Sequence, residues 1–145
     1  MQVDFYQLSR DPVEKLLPSI AQRILDNGGR LLVVSADEER LDRISQGLWN
    51  AGSATFLPHG RPKSPNPDLQ PILLSSTCTP ANGARHVALS DGLWRDEALE
   101  FDRAFFFFDQ DSIDAARQRW RSLTKCEGVE PRFWRQEGRK WIQGP

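Results

Sequence analysis

The sequence has few of the residues that usually carry chemistry. Its 145 residues include only two cysteines, two histidines and one methionine. Cys78 and Cys126 stand far apart and lack the paired spacing of a metal site, so we expect reduced thiols that bind no metal. Neither the dinucleotide-binding glycine pattern nor a phosphate loop ending in Gly-Lys-Ser/Thr follows any predicted strand. We therefore expect no metal and no cofactor.

Long hydrophobic runs and a strong net charge are also missing. No apolar stretch approaches the roughly 18 residues that a membrane-spanning helix needs, and the N-terminal residues lack the pattern of a secretory signal. We expect a cytoplasmic protein that makes no membrane contact. The formal net charge is -1, although residues 112–145 hold eight Lys or Arg against four Asp or Glu. A near-neutral total argues against general adhesion to nucleic acid and leaves room for a local basic surface.

Short apolar runs alternate with segments of helical period, which is typical of a parallel sheet covered by helices. The pattern predicts an α/β fold: a single three-layer, Rossmann-like domain over residues 1–145 with a mostly parallel central sheet. Helices are expected after Asp11, Asp37 and Asp111. The continuous apolar run at Arg30–Ser35 predicts a central strand buried on both faces. The predicted strands are Val3–Leu8, Arg30–Ser35, Ala54–Leu57, Pro71–Ser75, His86–Ser90 and Arg103–Phe108.

Proline and glycine mark the remaining segments. Asp11 is expected to cap the first helix, with Pro12 at its first position, and Pro18 should kink or restart that helix. Residues 58–71 hold five prolines and are predicted to form a proline-rich loop. The segment 133–142 fits a hairpin that turns at residues 137 and 138.

The last predicted helix carries the least ordinary pattern. Arg117, Trp120 and Arg121 stand at i, i+3 and i+4, so two guanidinium groups flank an indole on one face. Guanidinium groups bind carboxylates, and the ring offers an apolar side chain a place to pack. This combination suits an acidic peptide that ends in a hydrophobic residue. The alternative is an amphipathic helix in which Trp120 belongs to the core and both arginines are simply solvated.

An open α/β sheet also suggests a small nucleotide-binding enzyme, because such folds bind ligands beyond the carboxyl ends of their strands. His59 would be its first candidate residue, and His86 is the other histidine. Neither lies in a recognisable catalytic motif, so we assign no catalytic residue. A third hypothesis, direct DNA binding by the basic C-terminal segment, rests on a small surface.

Segments that follow one another in a fixed order along nearly the whole chain resemble one family. The matching segments are Val3-Asp4-Phe5-Tyr6, Leu48-Trp49, Phe56-Leu57-Pro58-His59-Gly60, Gln70-Pro71-Ile72-Leu73-Leu74, Asp109-Gln110-Asp111, Ala115-Ala116-Arg117-Gln118-Arg119-Trp120-Arg121, Phe133-Trp134-Arg135-Gln136 and Gly138-Arg139-Lys140-Trp141. Together they are similar to the chi subunit of bacterial DNA polymerase III. No single motif carries the resemblance, which depends on the order of all of them.

The resemblance implies a non-catalytic accessory subunit that pairs with the psi subunit of DNA polymerase III. Such a subunit connects the clamp loader to single-stranded DNA-binding protein by holding its acidic C-terminal tail, which ends in Ile-Pro-Phe, and it meets DNA only indirectly. Position by position, the resemblance assigns tail binding to Phe56, Phe107, Arg117, Trp120 and Arg121, with Trp120 in place of a family tyrosine. A basic residue that some members have near the start of this helix is absent, since Ile113 and Asp114 stand there.

Overall fold

The structure is a computed structural model that describes residues 1–9, 11–50, 57–137 and 140–144. Its strands are β1 (Gln2–Gln7), β2 (Leu31–Val34), β3 (His59–Gly60), β4 (Ile72–Ser75), β5 (His86–Leu89), β6 (Arg103–Phe108), β7 (Glu130–Glu137) and β8 (Lys140–Gln143). Its α-helices are α1 (Val13–Asp26), α2 (Glu38–Trp49) and α3 (Ile113–Thr124). Short 3-10 helices occupy Pro67–Leu69, Asp96–Glu100 and Gln110–Ser112.

All these strands form one sheet in the order β3-β4-β2-β5-β6-β1-β7-β8. Neighbouring strands run parallel throughout, except that β8 returns antiparallel to β7. The antiparallel pair matches the predicted hairpin, and residues 138 and 139 between the two strands lie outside the described residues. The prediction of an α/β fold with a mostly parallel sheet is confirmed.

Helices cover both faces of this sheet and make three layers. One core lies under α1 and α2 and includes Phe105 and Phe107 of β6. The other core lies on the α3 side and includes Phe106 and Phe108. Successive side chains of a strand point to opposite faces, so the run of phenylalanines in β6 supplies both cores at once. A parallel sheet buried on both faces needs such continuous apolar runs.

The β2 strand is interior but not central, which corrects the prediction made for Arg30–Ser35. Its four residues are fully buried, and β4 and β5 pair with it on either side. The middle of the sheet is formed by β5 and β6, because β1, β7 and β8 extend the sheet beyond β6. Sequence order alone does not reveal this extension, since β1 pairs with β6 and β7.

The first helix begins differently from the prediction. Its N-cap is Pro12, with no side-chain capping bond, and Asp11 does not cap it. The Asp11 carboxylate instead accepts a 2.8 Å hydrogen bond from Nε2 of Gln136 at the end of β7. Pro18 lies inside α1, which continues as a single helix through Asp26. The second helix begins where predicted, after Asp37, whose carboxylate caps it by accepting from the backbone N–H of Glu39.

The two helices on this face meet at a glycine. A Cβ atom added to Gly47 of α2 would lie 2.4 Å from the carbonyl oxygen of Glu14 in α1. Glu14 is four residues before Pro18, so its carbonyl lacks the usual helical N–H partner. The absence of a side chain at Gly47 thus lets α2 approach the carbonyl that Pro18 leaves free.

Residues 58–71 contain β3, which pairs with β4, and the 3-10 turn at Pro67–Leu69. The strand predicted at Ala54–Leu57 falls mostly on residues 54–56, which lie outside the described residues. Among the residues that are described, no helix is long and apolar enough to cross a membrane.

Candidate binding site on the last helix

The 3-10 turn Gln110–Ser112, which leads directly into α3, starts from a capping box after β6. The Asp109 carboxylate accepts hydrogen bonds from the backbone N–H groups of Asp111 and Ser112, while the Ser112 hydroxyl accepts from the Asp109 N–H. Ile113, Ala116 and Leu123 then turn one face of α3 towards the sheet. Asp114 is exposed in the first turn.

Trp120 is only partly buried, and its ring packs on the aromatic core. It meets Phe5 of β1 at 5.4 Å and Phe133 of β7 at 5.6 Å between ring centroids, both edge to face. Such pairs stabilise a core beyond the area they bury. The residue therefore has a structural role, as the alternative interpretation of this helix expected, and it still reaches the surface.

The arginines separate to two sides of α3. Arg117 and Arg121 are both exposed, one helical turn apart, and neither guanidinium makes an ion pair with the described residues. Arg119 lies on the other side, 5.6 Å from the centroid of the Trp94 ring and 3.7 Å from Asp96. Two free cations thus stand beside the accessible part of Trp120, where they could bind carboxylates.

The structure does not bring Phe107 to this surface. Its ring is fully buried on the opposite face of the sheet, stacked 5.2 Å from Tyr6. Phe106 and Phe108 are the β6 residues on the α3 side. A displacement of one residue along a strand moves a side chain to the other face, which is why resemblance by position is least secure within β6. Phe56 lies outside the described residues.

The carboxyl ends of the strands, where a nucleotide would be expected, are unsuited to phosphate. At the start of α2 the Ala36 N–H donates to Asp91, and the Glu39 N–H donates to Asp37. Glu38 adds a further exposed acid in the first turn. These two backbone amides are therefore occupied by carboxylates, and the acidic side chains around them would repel an anion.

A hollow of about 700 Å³ opens beside the carboxyl end of β4, lined by Ser75, Thr77 and Arg61 among others. The Arg61 guanidinium is already 2.7 Å from Glu38 and 2.7 Å from Asp42. Its charge is balanced by these two acids. The other cation of the lining, Lys63, is exposed on the proline-rich segment.

Asp91 is the best-anchored carboxylate at this edge. Burial would raise its pKa, but hydrogen bonds from Arg95 and from the Ala36 and Leu93 N–H groups outweigh burial and hold the pKa below its usual range. The Asp91 side chain is 7% exposed and that of Arg95 is 16% exposed. The ion pair between Asp91 and Arg95 fixes the loop after β5, and this structural role explains the lowered pKa of Asp91.

Both histidines have ordinary structural surroundings. His59 uses both ring nitrogens: Nε2 lies 2.8 Å from the Ser45 hydroxyl and Nδ1 lies 2.9 Å from the Leu57 carbonyl oxygen. His86 is half-buried at the start of β5, and burial, with a contribution from Arg103, lowers its pKa. Within the described chain, no group of three or more His, Cys, Asp or Glu side chains could hold a metal ion.

Sequence reasoning missed one surface, on the face opposite α3. Tyr6 of β1, Trp134 of β7 and Trp141 of β8 come together beside α1. The available signal was the alternation of Trp134 with the buried Phe133, which directs Trp134 to the other face.

Comparison with known proteins identifies the family. The family model of the DNA polymerase III chi subunit, HolC, matches residues 1–131. No curated protein sequence matches the chain. The match covers β1 through the start of β7 and leaves out Trp134 and Trp141. Because it spans most of the chain, the match confirms the resemblance found in the sequence, and the chain belongs to the DNA polymerase III chi subunit family.

Proposed function

We propose that this chain is an adaptor that links the clamp-loader complex, through psi, to the acidic C-terminal tail of single-stranded DNA-binding protein. Its family supports a replication accessory role within DNA polymerase III. The observation that carries the proposal further is the surface of α3, where exposed Arg117 and Arg121 flank the partly buried Trp120. Phe56 and Phe107 remain assigned only by resemblance.

The physical match between this surface and such a tail has two parts. A peptide rich in aspartate needs cations, and guanidinium groups meet carboxylates with paired hydrogen bonds. A terminal phenylalanine ring needs an apolar neighbour, which the exposed part of Trp120 supplies. Asp114, exposed one turn before Arg117, acts against binding by a modest and salt-screened amount.

The test is fluorescence anisotropy with a labelled acidic peptide ending in Ile-Pro-Phe. Arg117→Glu and Arg121→Glu should each weaken binding roughly three- to tenfold at low salt and less at high salt, because exposed charges are screened over about 8 Å at physiological ionic strength. Arg119→Glu is the matched control, since it makes the same charge change on the other side of α3. Asp114→Ala should strengthen binding.

Variants of Trp120 need a separate check that they still fold. Trp120→Ala should weaken the complex by about 2 kcal/mol, roughly thirtyfold, as expected for a central residue of a small interface. Because the ring also packs on Phe5 and Phe133, Trp120→Tyr is included as a milder change. Unchanged affinity in folded Trp120→Ala and Arg117→Glu proteins would show that the tail does not bind here.

We further propose that the chain acts without catalysis of its own, in the cytoplasm and without direct DNA contact. The structural partners of His59 and the acidic start of α2 support this against a small nucleotide-binding enzyme. Thermal-shift measurements should show stabilisation by the tail peptide and none by nucleotides. Polymerase, nuclease or ATPase turnover that copurifies with the chain and disappears in His59→Ala would support the enzyme instead.

A further inference from the structure

A hollow of about 200 Å³, which we call the His86 hollow, lies between the C-terminal half of α1 and the first residues of β5 and β6. Its chemistry comes from three apolar and three polar side chains: Ile20, Ile24, Phe105, Arg23, His86 and Arg103. The apolar three belong to the core under α1 and α2, so the hollow is on the face of the sheet opposite α3. The adaptor function proposed above makes no use of it.

The guanidinium of Arg103 is fixed at one side and free at the other. Its Nε donates a 2.7 Å hydrogen bond to the carboxylate of Asp4, which is 0% exposed. Its Cζ lies 4.7 Å from the centroid of the Phe105 ring. The two terminal nitrogens of Arg103 have no hydrogen-bond partner among the described residues. A guanidinium held in this way can bind a second carboxylate through its free N–H groups.

His86 stands beside this guanidinium and offers a donor of its own. It pairs with Arg103 in the register between β5 and β6, and its ring stacks 6.5 Å from that of Phe105. The Nδ1 atom is buried without a partner in the described chain. A buried acceptor without a donor is tolerated better than a buried N–H without an acceptor, so we assign the ring proton to Nε2. Burial and Arg103 lower the pKa of His86, so the ring is neutral near pH 7.

The charges around the hollow favour a ligand with one negative charge. Asp4 balances Arg103, whereas Arg23 is exposed and makes no ion pair with the part of the chain that the structure describes. The described lining residues include no Asp or Glu. Backbone N–H groups of residues 27–29 already bind the last carbonyl groups of α1, so these oxygens do not compete for Arg23. One unbalanced cation therefore matches a single carboxylate.

The apolar walls and the size of the hollow restrict the rest of the ligand. Ile20, Ile24 and Phe105 favour a hydrophobic body next to the carboxylate. The volume of about 200 Å³ is below the roughly 300–1,000 Å³ of sites that take drug-sized ligands. A molecule of about the size of one ring or one branched chain fits these limits.

We propose that the His86 hollow binds a small organic monocarboxylate with an apolar body. The carboxylate accepts hydrogen bonds from Arg23, from the free terminal nitrogens of Arg103 and from Nε2 of His86. The body packs against Ile24 and Phe105. Because Asp4 fixes Arg103 before binding, little conformational entropy is lost when the carboxylate arrives.

The experiment uses benzoate as the probe and the two histidines of the chain as reporters. In a ¹³C–¹H spectrum of the full chain, the Cε1 signal of His86 reports on the hollow, and His86→Asn assigns it. The signal of His59 is the internal reference, because both of its ring nitrogens have partners outside the hollow. Benzamide is the neutral isostere of benzoate, and acetate is the carboxylate without a ring.

The variants separate charge from geometry. Arg23→Gln removes the unbalanced cation, and Lys15→Gln makes the same change at an exposed position of α1 outside the hollow. Arg103→Lys keeps the charge that pairs with Asp4 and removes the planar fork that a carboxylate needs. Circular dichroism confirms that each variant is folded.

We expect benzoate to shift the His86 signal saturably and to leave the His59 signal in place. Arg23→Gln and Arg103→Lys should each weaken benzoate binding about three- to tenfold, and benzamide should bind at least about tenfold more weakly than benzoate. Acetate should also bind more weakly than benzoate, because it lacks the apolar body. Lys15→Gln should bind benzoate as wild type does.

Other outcomes would overturn the assignment. A His86 signal that benzoate does not shift, or equal benzoate affinity in wild type, Arg23→Gln and Arg103→Lys, would show that no carboxylate binds here. Benzamide that binds as tightly as benzoate would make the hollow a purely apolar site. Inorganic phosphate that displaces benzoate at lower concentration would make it a phosphate site. A tail peptide that shifts His86 more readily than benzoate would make its occupant the end of a peptide. Each of these results refutes the inference.

Discussion

The contact between α1 and α2 predicts an unusual response to a substitution that normally stabilises helices. At an unhindered helix position, replacing glycine by alanine gains about 1 kcal/mol. At Gly47 the new Cβ would lie 2.4 Å from the Glu14 carbonyl oxygen, below the 3.0 Å that real Cβ contacts respect. The neighbour is backbone and cannot rotate away, so the two helices would have to separate. Overpacking of this kind typically costs 1–3 kcal/mol.

We therefore expect Gly47→Ala to destabilise the protein by up to about 2 kcal/mol after the helix gain is subtracted. Urea unfolding followed by circular dichroism measures the change as a lower midpoint. The neighbouring exposed residue supplies the control, because Gln46→Gly and Gln46→Ala compare glycine with alanine in the same helix without the contact. Alanine should give a more stable protein than glycine at position 46 and a less stable one at position 47. A Gly47→Ala protein that is stabilised as much as alanine stabilises position 46 would refute the close approach.

Three further outcomes follow from groups described above. Pro18→Ala should raise the unfolding midpoint, because it restores an N–H donor inside α1 and removes a ring clash, effects that outweigh the smaller unfolded-state benefit of proline. Asp91→Asn should cost about 1–3 kcal/mol near neutral pH. Since the folded pKa of Asp91 is lowered, the stability that Asp91 contributes is present above about pH 4 and is lost as pH falls through the folded pKa. The free energies of unfolding of wild type and Asp91→Asn should therefore converge in acid. An Asp68→Asn control should follow wild type at every pH. At pH 8 iodoacetamide should label exposed Cys126 well before Cys78, whose pKa burial raises to about 11, as peptide mass spectrometry would show.

The elements themselves could be predicted because their signals are local. Leu31–Val34 is a continuous apolar run, and α2 begins at the predicted position, directly after Asp37. A local signal gave a wrong prediction where a distant partner was available. Asp11 has the side chain of a helix cap, but its carboxylate accepts a hydrogen bond from Gln136 instead. Gln136 is 125 residues away along the chain, and no local sequence pattern indicates that it is the partner of Asp11.

The candidate sites depend on pairings that the sequence does not display. The i, i+3, i+4 spacing correctly placed Arg117 and Arg121 on an exposed part of α3, because helical spacing is a local property. It could not say how deeply Trp120 enters the core, which follows from β1 and β7 lying beneath the helix. The face of Phe107 likewise follows from strand alternation, which a resemblance by position does not constrain.

The surface formed by Tyr6, Trp134 and Trp141 shows how the sheet order brings distant residues together. Tyr6 and Trp134 stand opposite each other because β7 adds parallel to β1 at the far end of the sheet. β8 then carries Trp141 back beside them, with Gln136 as its partner in register. No helix among the described residues follows β7 to cover this face, so the strand addition that buries Asp4 leaves the rings above it accessible. Replacing Asp4 should loosen this surface, because Arg103 and Trp134 would lose their common acceptor.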